Sequence, residues 1–367
     1  MIEADSPLRV STLELFFDLV FVFTITQLTG LLAHRDVTGE GALRVLLIFG
    51  VLWWMYGGYA WLTNTRTPSR TPERLLLLLG MAGFLVIGLA IPAAFDRRGE
   101  GLALGLGYLL VVAVHGALYQ RVNRNIFRVV PFNVIAALLV ILAGLTGGVT
   151  AYALWAVALA GPVISPLIVR PRGRFSIQPA HFVERHGALI IVVFGESVAD
   201  VGIGAAGHPL TVSLVASAVL GLALTATLWW AYFGVSDDER AEEAFTQADP
   251  AVRPALALHA YWYAYIPMLL GIVSLAAGIK VAMLHQAGSL PWRPSLALGG
   301  GVALFLAGDV EFRRALGIGR QRYRTEAALV ALAVSAVGVG NSAAEIALLA
   351  LVVAGALVLE RRDSVKA

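Results

Sequence analysis

The sequence predicts an all-α protein: a polytopic transmembrane helix bundle of about 12 spans in two tandem six-helix repeats. Three observations predict it. The 367 residues are 58% hydrophobic and only 14% charged, with a mean hydropathy of +0.78, whereas a soluble chain carries about 25% charged residues. The apolar residues fall into runs of about 20, the length a helix needs to cross a bilayer core. The two halves of the chain also carry the same short motifs at matching places. No cysteine is present, which excludes disulfides and thiolate metal sites. Arginine outnumbers lysine 25 to 2, as in proteins of GC-rich bacteria.

Taken in order, the predicted spans are 13–33, 42–63, 74–94, 101–120, 129–147, 151–169, 187–205, 211–234, 255–281, 294–309, 324–341 and 343–359. Glu14 and Asp18 interrupt the first run, so the N-terminus does not read as a cleavable signal. Tight turns near Gly147 and Asn341 make helical hairpins of the fifth and sixth spans and of the eleventh and twelfth. The loop 236–250 is acidic, and Ser236 is placed to cap a short solvated helix there. Gly101, Gly105 and Gly107 sit where small residues let helices approach closely.

Orientation follows from the basic residues, which collect on the cytoplasmic side of membrane proteins. With twelve spans, 21 of the 27 Lys and Arg residues fall on the side that carries both termini, Arg185, Arg313 and Arg320–Arg324 among them. Both termini are therefore expected in the cytoplasm, with the Arg320–Arg324 cluster near anionic headgroups.

The halves resemble each other. Span 2 ends in Leu52-Trp53-Trp54-Met55-Tyr56-Gly57-Gly58 and span 8 in Leu228-Trp229-Trp230-Ala231-Tyr232-Phe233-Gly234. Span 4 opens with Leu102-Ala103-Leu104-Gly105 and span 10 with Leu296-Ala297-Leu298-Gly299, a register that sets His115 opposite Asp309. Glu14 matches Glu184 at the start of span 7. The expected repeats are residues 1–174 and 175–367, related by an axis along the membrane normal. The four tryptophans read as interfacial belt residues.

Ionisable groups at membrane depth are costly and mark sites. Glu14 and Asp18 lie in span 1, Glu196 and Asp200 in span 7. Residues four apart share a helix face. Glu196, roughly 14 Å into its span at 1.5 Å per residue, is expected near the midplane, and the four carboxyls are expected to form a ladder from the cytoplasm. Two close carboxyls in low dielectric rarely ionise together, which suits proton binding or general-acid chemistry. Glu196, Asp200 and Asp18 are thus the proton-binding or general-acid candidates. Glu14, Glu184, His115, His259 and Asp309 are candidate substrate-binding groups. For Glu14 the alternative is helix capping, and for His115 and His259 hydrogen-bonded packing. His181, Glu184 and His186 lack zinc-site spacing and read as a polar collar. No nucleotide fingerprint, phosphate loop or nucleophile elbow is found, so neither cofactor nor nucleic acid is expected; the expected partners are membrane lipid and a small-molecule or ion substrate.

Two stretches carry a family resemblance. The run Glu14 to Phe21, and the set Glu184, Arg185, Gly187, Gly195, Glu196 and Ser197, resemble the two signature stretches of the bacterial low temperature requirement A family. The paired-Trp segments and the length fit as well. The resemblance implies a multi-pass protein of the bacterial cytoplasmic membrane whose shared acids include Glu14, Asp18, Glu184 and Glu196. Asp200 lies outside the matched positions and stands on the physical argument. The functional expectation is a secondary transporter or ion-translocating protein with a buried carboxylate site. The alternative is an intramembrane enzyme that uses a buried carboxylic acid on a lipophilic, isoprenoid-like substrate. A third reading has the acids only fastening helices together.

Overall fold

The computed structural model describes residues 9–34, 37–66, 68–120, 126–168, 177–234, 237–285 and 288–365, and among these the regular structure is entirely helical. A helix occupies each of the twelve predicted stretches. The elements are α1 (Thr12–Ala33), α2 (Gly39–Thr65), α3 (Thr71–Ala90), α4 (Arg98–Tyr119), α5 (Ile126–Leu145), α6 (Gly148–Ile168) and α7 (Pro179–Ala205). They continue with α8 (Val212–Phe233), α9 (Asp237–Gln247), α10 (Arg253–Ala257), α11 (Tyr265–Leu284), α12 (Trp292–Leu316), α13 (Arg322–Gly338) and α14 (Ser342–Val365). Among the described residues, nine helical segments are long and apolar enough to cross a membrane. The stretches Val129–Leu145 and Gly148–Gly161 are shorter apolar helices.

Local chemistry explains the ends. Ser11 and Glu14 make a reciprocal capping box at the start of α1: the Glu14 amide donates to Ser11 Oγ (3.3 Å) and the Ser11 amide to Glu14 Oε2 (2.9 Å). Thr211 caps α8 by accepting from the Leu214 amide at 3.2 Å. Gly317, with φ 67°, ends α12 in the left-handed conformation that a side chain disfavours. The segment Arg253–Leu284 runs through a π-helical turn at Leu258–Tyr263. Pro267 has no N–H for the Tyr263 carbonyl one turn back, so the helix widens just before it. The acidic loop does form a helix, α9; Ser236, its expected cap, lies outside the described residues.

The chain divides into two compact units. The first comprises residues 1–31 and 43–185, the second residues 32–42 and 186–367. In the first unit α3 packs on α4, α4 on α5 and α5 on α6; in the second α11 packs on α12, α12 on α13 and α13 on α14. Leu75, Leu89, Leu329 and Leu351 are all more than half exposed, as expected of helix faces turned to lipid. The boundary expected at residue 174, and the basic residues Arg35, Arg121, Arg124, Arg170, Arg172, Arg174 and Lys366, lie outside the described residues.

Small residues set the closest helix contacts. A Cβ on Gly105 of α4 would lie 2.7 Å from Ile141 Cα on α5. A Cβ on Gly301 of α12 would lie 2.6 Å from the Leu275 nitrogen and 2.8 Å from the Gly271 carbonyl on α11. Neither neighbour can yield, because both are backbone. Gly301→Val is therefore expected to destabilise the protein by about 1–3 kcal/mol through overpacking. Gly300→Val, at a position whose nearest such neighbour is Leu296 Cδ1 at 4.0 Å, is expected to behave as wild type. Thermal unfolding in detergent checks the pair, and equal shifts would refute the close approach.

Candidate functional site

The most densely paired cluster belongs to the first unit and centres on Arg185. This residue lies in the second turn of α7 and is 1% exposed. Its Nη1 donates to Glu14 Oε1 at 3.1 Å and to Thr63 Oγ1, and its Nη2 donates to Asp18 Oδ1 at 3.0 Å. Tyr56 donates its hydroxyl to the same Asp18 oxygen at 3.0 Å. The guanidinium also lies 5.7 Å from the ring centroids of Phe17 and Tyr56. Two carboxyls one helical turn apart on α1 thus share one guanidinium, whose fork geometry suits a pair of acceptors.

A hydrogen-bond chain fixes the neighbouring histidine. Asn64 Oδ1 accepts from the Gln178 amide at 3.0 Å, so its amide nitrogen is the donor. That nitrogen donates to the Gln178 carbonyl at 2.9 Å and faces His181 Nδ1 at 3.2 Å. His181 Nδ1 must then accept. The ring carries its proton on Nε2, which faces Glu14 Oε1 at 3.1 Å. Glu14 therefore serves two structures at once: Oε2 caps α1, while Oε1 takes Arg185 and His181.

In the second unit Asp200 is fully buried and pairs with Lys280 of α11, whose Nζ lies 3.1 Å from Oδ1. Gly204, one turn further along α7, permits the approach: a Cβ there would lie 2.8 Å from the Lys280 carbonyl. Glu196 is half-buried one turn before Asp200. Because α7 begins at Pro179 rather than 187, Glu196 lies past the middle of its helix. The polar first turns escaped the apolar-run reading because ion pairing, not hydrophobicity, buries them.

A second buried ion cluster surrounds Asp309 in the same unit. Arg313 Nε lies 3.2 Å from Asp309 Oδ2 and Arg324 Nη1 2.5 Å from the same atom. Arg324 Nε donates to Glu360 Oε2 at 2.9 Å, and Arg313 Nη1 lies 3.5 Å from Glu360 Oε1. Both arginines also donate to the Ala231 carbonyl, one of the last of α8 and short of an amide donor within its own helix. This corrects the reading of Arg324 as a headgroup anchor: it is fully buried. Arg185 and Arg313 are likewise buried in ion clusters rather than free in a cytoplasmic loop.

The remaining candidates do not converge with these. Glu184 faces the start of the described chain, its Oε2 3.8 Å from Arg9 Nη1 and accepting from the Val10 amide at 3.3 Å. His181 and Glu184 thus point to different partners. Among the described residues no group of three or more His, Cys, Asp or Glu is gathered to hold a metal. His115 is buried between the Tyr59 and Tyr119 rings, with Nε2 where a Cβ on Gly58 would come within 3.0 Å. His259, read from sequence as intramembrane, is exposed in the π-helical turn and lines a shallow cleft of about 330 Å³ with Leu256, Glu311 and Arg314. Of the four tryptophans expected in an interfacial belt, Trp229 and Trp230 are 40% and 54% exposed. Trp53 is buried and stacks on Phe49 and Tyr56, and Trp54 donates to Asn133 Oδ1 at 3.0 Å.

The arginine of the ion cluster and both of its carboxyls fall at the positions that carried the sequence resemblance, Glu14, Asp18 and Arg185. Comparison with known proteins agrees: the model of the family "bacterial low temperature requirement A protein" matches residues 9–359. The chain belongs to the low temperature requirement A family. A relative of the family member described here, the uncharacterized protein RA0937 of Rhizobium meliloti (strain 1021), is 30% identical over 326 residues, covering 85% of this chain and 79% of that protein. The chain is thus a multi-helix membrane protein of a bacterial family.

Removing the cation of a buried ion cluster leaves its acids uncompensated, at a typical cost of about 3–5 kcal/mol. Arg185→Met is expected to destabilise the protein by about that amount. Adding Glu14→Gln and Asp18→Asn to that variant is expected to restore more than half of the loss, although three polar contacts are then gone. Chemical unfolding in mixed micelles, compared across the variants, checks this. A triple variant less stable than Arg185→Met would show that pairing is not what these groups supply.

Proposed function

We propose that this low temperature requirement A protein is an ion-translocating membrane protein of the secondary-transporter type, with Asp200 and Glu196 as its proton- or cation-binding core. The observation that carries the reading is the Asp200–Lys280 pair. Both groups sit in long apolar helices, where a charge is expensive to keep. Lysine is a compact charge on a flexible stem, unlike the rigid fork of arginine. An arriving cation or proton can replace its ammonium at Asp200, and departure of that ion restores the pair. Ser197, buried and on the same helix turn, adds a hydroxyl with no partner among the described residues.

The buried-acid enzyme is the weaker reading. Glu14 and Asp18 are already engaged by Arg185, and a guanidinium holding a carboxylate opposes its service as a general acid. In this proposal Arg185 with Glu14 and Asp18 is the fixed structural pair, and Asp200 with Lys280 is the exchangeable one.

The two-repeat architecture belongs to the same proposal. The matching Trp pairs and the parallel order of helix contacts, α3–α4–α5–α6 and α11–α12–α13–α14, support a duplication of six helices. The distribution of basic residues supports cytoplasmic termini. The absence of native cysteine makes this directly testable. A cysteine at His208 is expected to react with an impermeant maleimide from outside the cell, and one at Glu242 only after permeabilisation. The opposite pattern would invert the topology.

Function is tested in proteoliposomes with an imposed pH gradient, a panel of monovalent and divalent cations and a pH-sensitive dye inside. Wild type is expected to show cation-dependent proton movement. Asp200→Asn and Glu196→Gln are each expected to lower it by at least about tenfold, the effect of losing roughly 1.4 kcal/mol of binding or more. Equal flux in wild type and both variants, or no flux with any cation, would overturn the proposal.

A further inference from the structure

Every other fully described buried acid has a cation beside it. Glu14 and Asp18 have Arg185, Glu73 has Arg66, Asp200 has Lys280, and Asp309 has Arg313 and Arg324. Glu345 is the exception among the described residues. It sits in the first turn of α14, fully buried, with no Lys, Arg or His paired to it. A full negative charge left alone in such surroundings is too costly to persist, so something must neutralise it. The α14 N-terminus offers only a partial positive charge, worth about 0.3–1 kcal/mol, and Asn341 already caps it by accepting from the Ala344 amide at 2.9 Å.

Proton counting identifies the neutralising group. Ser295 Oγ on α12 lies 2.7 Å from Glu345 Oε2 and also within hydrogen-bond distance of the Ser335 carbonyl oxygen on α13. Two full hydrogen bonds at one hydroxyl oxygen need two hydrogens. The Ser295 hydroxyl has one, and a carbonyl has none. A protonated Glu345 carboxyl supplies the second hydrogen, and a buried acid with no cation beside it is the group expected to hold one. The set is then complete: Glu345 donates to Ser295, and Ser295 donates to the Ser335 carbonyl, which lies in the last turn of α13 where amide donors run out. An independent observation points the same way. Glu345 Oε1 and the hydroxyls of Ser335 and Ser342, all buried, have no partner among the described residues.

We infer that Glu345, with Ser295 and the Ser335 carbonyl, forms an intramembrane proton-binding site in the second unit, separate from the Asp200–Lys280 pair. The site does not rest on the transport reading. Gly338 and Gly299 make room for it, since a Cβ on either would overlap an oxygen of Glu345 or Ser335. This is a carboxylic acid that holds one proton between three helices and has no internal cation to replace it.

Infrared spectroscopy of purified protein in lipid tests the inference without any transport assay. At neutral pH the wild type is expected to show a carboxylic-acid carbonyl band that disappears in Glu345→Gln. Ser295→Ala, which removes the acceptor but not the acid, is expected to shift that band rather than abolish it, so the test survives if one variant fails to fold. Glutamine mimics a protonated acid by donating to Ser295, so the melting temperature of Glu345→Gln is expected to match wild type. A wild-type spectrum without the band, or one unchanged in both variants, would overturn the assignment. A band removed by Na⁺ but not by choline at constant pH would overturn it in favour of a sodium site.

Discussion

A charge buried among apolar helices must be met by an opposite charge or lose its own, and in the first unit Arg185 meets that demand. Its guanidinium engages Glu14 and Asp18 on α1 and Thr63 on α2, so one residue of α7 pins two other helices. Aromatic rings complete the surroundings: Phe17, Phe21, Tyr56, Tyr59 and Phe84 lie in mutual contact around α1. Water is thereby kept from the pair, which strengthens the attraction and raises the cost of breaking it. The same demand extends to neutral groups. Asn64 and His181 are oriented by one another and by the Gln178 backbone, so that the ring turns its Nε2 toward Glu14 Oε1, 3.1 Å away. The start of α7 is thus fixed by polar chemistry in a region where apolar packing alone would not choose a register.

The helices were legible because a bilayer imposes one length and one composition, and apolar runs of that length are visible in any window of the sequence. The ends were less so. Residues 179–186 look like loop because they are polar, yet they are helical and partly buried, since their charges find partners from α1 and α2. The acids at 14, 18, 196 and 200 stood out against apolar neighbours. Their partners did not: Arg185 and Lys280 each look like an ordinary flanking charge until the fold brings a carboxyl to them, as does Arg324, the partner of Asp309. Glu345 was missed for the opposite reason. It lies just past a turn at Asn341, where an acid in a first helical turn is unremarkable, and only its burial against Ser295 separates it from a capping residue. Trp53 and Trp229 show the limit of motif matching, for the same dipeptide is buried in one half and exposed in the other.

The ion clusters also bear on how the halves relate. Glu14 and Glu184 hold matching places in the sequence register, yet one is fully buried and the other 40% exposed by side chain. His115 and Asp309 likewise match in register, but one packs between tyrosine rings and the other holds two arginines. If the halves share an origin, the helix order has outlasted the charge pattern. That order of loss is physically reasonable. Helix length and apolar character are fixed by the membrane for every copy, whereas a buried charge survives only together with its partner, so a pair is gained or lost as a unit.

This difference separates the acids by what each can do. Asp309 has two arginines and a helix-end carbonyl in one network, and none of these partners can leave without stranding another. Asp18 shares a guanidinium that Glu14 also needs. Such groups are fasteners. Asp200 has a single amine on a flexible chain, and Glu345 has a serine hydroxyl and no cation at all. For these two, neutralisation is by one small, removable group: an ammonium that can swing away, or a proton that can dissociate. A protein whose buried charges were all fasteners would have no reason to keep two acids on such loose terms, because an apolar residue of similar volume would pack as well at lower cost. The contrast between locked and loosely neutralised carboxyls, rather than the mere presence of acids in the membrane, is what supports the proposal of ion chemistry in the second unit.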